Sequence, residues 1–345
     1  MDAMLRDFLV TDLGAFSVIS YVHPPDGALA LLRYVRDPDG DRIRWATGER
    51  YRKVDFEESF EILEREKPGY VREVRGDFPD QVVPWEDVEE HLRPTERLEG
   101  IATEGPSDEL EELALDVVEE LSEDSGVPFS RFGVTGSLLL GVHDPSSSDL
   151  DLVVVGTEEF LAVRDVILRI QEVGESRTGN LRPLTLDEWR FVYERRRPEL
   201  DFETFVRHEM RKGNRVVAGD RVCDVLLVRD PSEVKGERLE RFETLGRAEL
   251  VCRILDDSRA FDYPAVWEVE VLEASEDRWY EIREIRSYSH TYVGQAFRDE
   301  VVEVRCKVDR NLETGEPVGI VGSTREAKGE WIRVVKDDYL PPLPG

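Results

Sequence analysis

The chain has 345 residues, 40% of them hydrophobic and 35% charged, with a formal net charge of −30. That length exceeds one ordinary core, so two or three domains are expected, and so acidic a surface disfavours indiscriminate binding to nucleic acid. No apolar run nears the roughly 20 residues that span a bilayer, the start MDAMLRDFLV lacks the regions of a signal peptide, and Cys223, Cys252 and Cys306 stand far apart in apolar stretches. These features lead us to expect a cytoplasmic protein with buried, reduced thiols and no membrane partner.

The first segment, 1–100, reads as a β-rich domain with one helix. FSVISYV and ALALLRYVRD flank HPPDG, whose Pro-Asp-Gly favours a turn and hence a hairpin. A second turn at Asp37-Pro38-Asp39-Gly40 precedes RIRWATG. VDFEESFEILERE then predicts a short helix with Phe56, Phe60 and Leu63 on one stripe. Prolines and polar residues from Phe78 to Gly105 predict a connecting arm.

A second segment, 106–236, alternates helices and strands. Leu110, Leu113, Val117, Val118 and Leu121 recur at helical spacing behind an acidic first turn. There follow strand RFGVTG, short helix SLLLGV, strand DLDLVVVG, helix TEEFLAVRDVILRIQEV, an arginine-rich stretch and strand RVCDVLLV. This order predicts a mixed sheet with helices. The third segment, 241–345, offers ELVCRIL, AVWEVEVLEA, WYEIREIRS, EVVEVRCKV, PVGIVGS and WIRVVK. These runs predict a small barrel or sandwich, followed by an extended tail YLPPLPG. The fold class expected is therefore α+β and multidomain: a central mixed sheet with helices between an N-terminal β-rich domain and a C-terminal β-barrel or sandwich.

Chemistry concentrates in GVTGSLLLGVHDPSSSDLDLVVVG, residues 133–156. On a strand, Asp149 and Asp151 point the same way while Leu150, Leu152 and Val154 pack on the other face. Two carboxylates about 5 Å apart repel by about 3 kcal/mol at an effective dielectric near 20. A divalent cation reverses that sign, and Mg²⁺ (or Mn²⁺) accepts one or two carboxylates together with substrate phosphates. Gly136-Ser137, between a strand and a helix start, offers backbone N–H groups and a hydroxyl to a triphosphate. Taken singly, the aspartates could be a hydrated pair at a strand start and Gly-Ser a plain turn; their joint order and spacing favour a metal and phosphate site.

TGSLLLGVHDPSSSDLDLVVV resembles the signature of the polymerase-β nucleotidyltransferase superfamily, in which a strand, a Gly-Ser turn, a short helix and a DxD strand follow in this order. The whole chain, including YVHP and SYSHTYVGQA, also resembles uncharacterised archaeal proteins predicted to be nucleotidyltransferases. The resemblance implies a third carboxylate on a later strand, and Asp224 in GDRVCDVLLVRD answers to it, with Asp220 and Asp230 more turn-like. Asp224 would serve as metal ligand and general base; the plainer reading is a carboxylate bonded to nearby backbone or to an arginine.

The basic residues concentrate in EWRFVYERRRPELDFETFVRHEMRKGNR, where Arg195, Arg196, Arg197, Arg207, Arg211, Lys212 and Arg215 could grip triphosphate or an RNA backbone. Arg211 and Lys212, just before the last strand, are the better candidates; a solvated helix face balanced by glutamates is the alternative. No two of the five histidines have metal-ligand spacing. The function these features imply is Mg²⁺-dependent transfer of a nucleoside monophosphate from an NTP to an acceptor hydroxyl, with RNA as one acceptor class. The alternative is a non-catalytic nucleotide- or RNA-binding protein that keeps the fold.

Overall fold

In chain order the computed structural model, which describes residues 3–76, 78–323, 327–335 and 340–343, opens with β1 (Phe8–Val10), β2 (Gly14–Val18), β3 (Gly27–Arg36), β4 (Arg42–Ile43) and β5 (Arg50–Lys53). The expected hairpin is β2–β3, antiparallel, pairing Phe16 with Leu32. Helix α1 (Phe56–Glu66) follows, N-capped by Asp55, whose side chain accepts from Glu58 N. Its buried face is Ser59, Ile62 and Leu63, so the predicted stripe is rotated. Phe56 and Phe60 meet edge to face, ring centres 5.1 Å apart, at half-buried positions.

The region expected to be a connecting arm is structured. It carries β7 (Asp80–Pro84), after β6 (Val71–Arg72), then β8 (Glu90–Leu92) and α2 (Pro94–Glu104). Pro94 at the first turn explains how a proline-bearing stretch starts a helix, because the missing N–H is not needed there. The eight strands form one sheet in the order β4-β5-β3-β2-β1-β8, with β7 pairing β3 and β6.

Then come α3 (Glu109–Ser125), β9 (Phe132–Val134), α4 (Gly136–Leu140), β10 (Leu150–Val155), α5 (Thr157–Val173), β11 (Leu181–Arg182), α6 (Leu186–Arg196), α7 (Phe202–Lys212), β12 (Arg215–Ala218) and β13 (Arg221–Val228). A five-stranded mixed sheet runs β11-β12-β13-β10-β9, with β10 and β13 parallel. Leu152, Val153 and Val154 are wholly buried, as a central strand covered on both faces requires. Finally β14 (Phe242–Arg259), β15 (Ala265–Ala274), β16 (Glu284–Ser287), β17 (Val301–Asn311), β18 (Pro317–Val321) and β19 (Trp331–Val334) make the third sheet. Its order is β14-β15-β16-β18-β17-β19, and β14 also pairs β17, which closes a small barrel. WYE of the WYEIREIRS run is a 3₁₀ turn rather than strand.

The fold is thus mixed α+β with three sheets and, among the described residues, seven α-helices. The chain divides into two compact units: Met1–Val74, Phe78–Pro183 and Asn214–Leu239; and Arg75–Asp77, Leu184–Gly213 and Glu240–Gly345. The first unit joins the N-terminal sheet to the central one. Phe8, Val10, Ala15, Tyr34 and Tyr51 pack with Leu139, Leu140 and Val142 around α4. Arg44 Nε donates to Leu140 O (3.2 Å) and Trp45 N to Gly141 O (3.0 Å). The arginine-rich stretch groups with the barrel in the second unit.

Cys223, Cys252 and Cys306 are free and buried, as expected. Trp267, Trp279 and Tyr292 are core residues of the barrel unit. Among the described residues no helix is long and apolar enough to cross a membrane. Of the tail, residues 340–343 carry no regular structure; Tyr339, Pro344 and Gly345 lie outside the described residues.

Candidate active site

Asp151 is the second residue of β10, and its register partner on the parallel strand β13 is Asp224. Paired residues on neighbouring strands stand on the same face with backbones about 4.8 Å apart. The two carboxylates therefore rise side by side from one end of the sheet. Asp149 immediately precedes β10, two residues from Asp151. All three aspartates are half-buried, between Leu150, Leu152, Cys223 and Val225, which are fully buried. The thiol of Cys223 is pushed up by burial first, then by the charges of Asp224 and Asp151, with Arg215 opposing. One thiol thus feels both carboxylates and the arginine.

Gly136 closes the site from the side. Its φ is +64°, and a Cβ there would meet Asp151 Oδ2 at 2.8 Å. Only a residue without a side chain lets the motif backbone approach that carboxylate so closely. Thr135 N donates to Asp151 O (2.9 Å), and Thr135 Oγ1 to Arg6 O (3.2 Å), which anchors the turn to β10 and to the turn before β1. Helix α4 has only five residues, so it adds little helix dipole at Gly136-Ser137. Tyr34, on β3, brings the N-terminal sheet to the same region: burial raises its phenol, Arg33 and Arg42 lower it, and Asp151 and Asp41 raise it.

The connecting loop is held from within. Ser146 Oγ and Ser147 Oγ donate to Asp144 at 2.7 and 2.8 Å, and Ser146 N at 2.9 Å. The Ser146 and Ser147 hydroxyls are the main reason the Asp144 carboxyl is brought down to about 2. From β13, Arg221 donates to the carbonyls of Pro145 (3.2 Å) and Ser146 (2.6 Å).

Asp224 is not alone on its strand face. Arg215, its cross-strand partner on β12, donates through Nε to Oδ1 and through a terminal nitrogen to Oδ2 (3.1 Å). Arg215 is 3% exposed. The plainer sequence reading, a carboxylate bonded to an arginine, therefore describes the protein at this position. The hairpin RVVAGDRVCD carried the signal: a two-residue Gly219-Asp220 turn sets the register that opposes 215 to 224.

Arg211 and Lys212 sit in the barrel unit with their charges matched there. Arg211 pairs with Glu300 and lies 4.5 Å from the ring centre of Phe297. Lys212, 1% exposed, donates to Glu209 and to Thr291 O (2.6 Å). Arg207 donates to Pro341 O (3.0 Å).

Among the described residues, the carboxylate oxygens of Asp149, Asp151 and Asp224 do not all lie within 4.8 Å of one another; a different group, not visible in the sequence, does. Asp108, Glu111 and His143 bring one potential ligand atom each within 4.8 Å of one another. His143 Nε2 donates to Asp108 Oδ2 (2.7 Å), whose Oδ1 caps α3 by accepting from Leu110 N and Glu111 N. Glu111 accepts from Arg97, Ser107 N and Ser107 Oγ. Every carboxylate oxygen thus has a protein donor, and the group works as a buried polar brace between α3 and the motif loop. Trp45 stacks on His143 with ring centres 5.9 Å apart.

No family model matches the chain, and no solved structure matches it. Over 351 aligned residues it is 34% identical to the "Uncharacterized protein MJ1086" of Methanocaldococcus jannaschii, covering 97% of this chain and 99% of that protein. The chain belongs to one family with that protein.

Proposed function

We propose that the chain is a metal-dependent nucleotidyltransferase that moves a nucleoside monophosphate from an NTP to an acceptor hydroxyl. The observation that carries the reading is the register of Asp151 with Asp224, beside a glycine whose missing side chain admits the Asp151 carboxylate. The donor set suits Mg²⁺ or Mn²⁺: hard carboxylate oxygens on one sheet face, which such an ion accepts together with phosphate ligands. Asp149 and Asp151 would hold the ion, and Asp224 would complete the set. When bound, the metal supplies Lewis-acid charge for both the attacking and the leaving oxygens.

The chain's own residues do the rest. The Gly136-Ser137 turn would offer backbone N–H groups and a hydroxyl to the triphosphate, and the β10–β13 face would orient it for attack. The acceptor oxygen forms a bond to the α-phosphorus, the bond to the bridging oxygen breaks, and pyrophosphate leaves with the electron pair. The hydroxyl proton passes to Asp224. The matched charges of Arg211 and Lys212 speak against giving them the triphosphate, and the same internal pairing weakens the case for an RNA grip on that stretch.

The test is transfer from α-³²P-labelled NTPs, with Mg²⁺ and cellular RNA, by wild type and Asp149→Ala. Label should reach an acceptor in wild type alone; equal labelling by both removes the assignment. A second reading, a non-catalytic nucleotide-binding protein, is favoured by the engagement of Asp224 with Arg215. It predicts saturable NTP binding with no pyrophosphate released to any acceptor.

A further inference from the structure

We infer that Arg215 is a positioning residue that holds the third carboxylate and competes for it with a divalent cation, so that the metal-free protein binds the cation weakly. The inference rests on the metal site proposed above.

Three observations carry it. Arg215 and Asp224 are register partners on antiparallel strands, so the pairing is built into the β12–β13 hairpin and does not depend on a chance rotamer. The guanidinium engages both oxygens of Asp224. Arg215 is buried, with a side chain 4% exposed against 17% for Asp224. The carboxylate thus opens to the site while the arginine closes it from behind.

The physical argument is one of exchange. A guanidinium that holds both oxygens of a carboxylate fixes its orientation and takes one lone pair of each, so a cation competes with it for the same charge and for the same direction of approach. The same positive charge lies beside Asp151's neighbour on the sheet, where it lowers the mutual repulsion of the acidic residues and opposes an incoming divalent ion. Arg215 therefore keeps the metal-free fold tolerable and sets the metal affinity low. An NTP that arrives with its own cation brings phosphate ligands that tip the exchange. Asp224 would then be shared between Arg215 and the cation only once the nucleotide is bound.

The experiment measures Mn²⁺ binding to the full chain by calorimetry, with thermal melts in EDTA and in Mn²⁺. The variants are Arg215→Met, Arg215→Lys, Arg215→Met with Asp224→Asn, and Asp149→Ala. Removing the competing charge should tighten Mn²⁺ about tenfold or more in Arg215→Met, which corresponds to about 1.4 kcal/mol. It should also enlarge the rise in melting temperature on adding Mn²⁺, and adding Asp224→Asn should erase the gain. Where Arg215→Met does not fold, Arg215→Lys decides, since it can hold only one oxygen: tighter Mn²⁺ than wild type supports the inference. Affinity equal to or weaker than wild type in the folded variant overturns it. Asp149→Ala separates the two layers. If it leaves Mn²⁺ binding unchanged, the metal site itself is wrong; if it abolishes binding while the Arg215 variants match wild type, only the role of Arg215 fails.

Discussion

Replacing Gly136 by alanine tests the junction of phosphate turn and carboxylates, because two separate costs can be worked out. The first is conformational: at φ +64° an L-residue pays about 1 kcal/mol relative to glycine. The second is steric, since the new methyl would lie 2.8 Å from Asp151 Oδ2 and the carboxylate must move. Such overpacking adds about 1 kcal/mol or more. Gly141 supplies the control. Its φ is +73°, yet nothing lies within 4 Å of a Cβ there, so Gly141→Ala carries the first cost alone. In thermal unfolding, Gly141→Ala should lower the midpoint by about 3 °C and Gly136→Ala by about 6 °C. Mn²⁺ titration should separate them further, with about tenfold weaker binding for Gly136→Ala and no change for Gly141→Ala. Equal losses in stability and unchanged Mn²⁺ affinity in both would refute the argument that Gly136 is shaped around Asp151.

Further predictions concern the barrel unit. His208 accepts from Val334 N (3.0 Å) and donates to Thr204 O (2.7 Å), and burial brings it down to about 4. A base depressed on folding is neutral in the native state, so its contribution is complete above about pH 6.5 and is lost as the pH falls toward 4. The loss amounts to about 3 kcal/mol, and His208→Gln should flatten the pH dependence of denaturant midpoints over that window; an unchanged slope contradicts it. Lys212→Met should destabilise by about 3–5 kcal/mol by stranding buried Glu209, while leaving Mn²⁺ and NTP affinity as in wild type. Normal stability with lost NTP affinity would return Lys212 to the triphosphate.

Much of the secondary structure was legible because periodicity is local. AVWEVEVLEA is β15 to the residue, and acidic residues before Leu110 mark the start of α3. In the connecting arm the expectation fails because proline and polar residues mark a loop only when nothing pairs with them. Gln81, in that arm, accepts from Leu32 N (2.8 Å) and donates to Ser59 Oγ (2.7 Å), bonds fixed by residues 49 and 22 positions away. Asp149, Asp151 and Gly136 could be singled out because their chemistry lies within one short stretch, 133–156. The partner of Asp224 needed the hairpin register. The brace of Asp108, Glu111 and His143 needed α3 to be packed beside the loop, which no short-range pattern encodes.

The measurement that bears most directly on the central claim is a structure of the protein with Mn²⁺ and a non-hydrolysable ATP analogue, read by anomalous scattering. The account predicts Mn²⁺ between Asp149 and Asp151, bridged to the triphosphate lying along Gly136-Ser137, with Asp224 shared between Arg215 and the ion. Manganese bound instead at Asp108, Glu111 and His143, or nucleotide bound with no ion near Asp151, would contradict it.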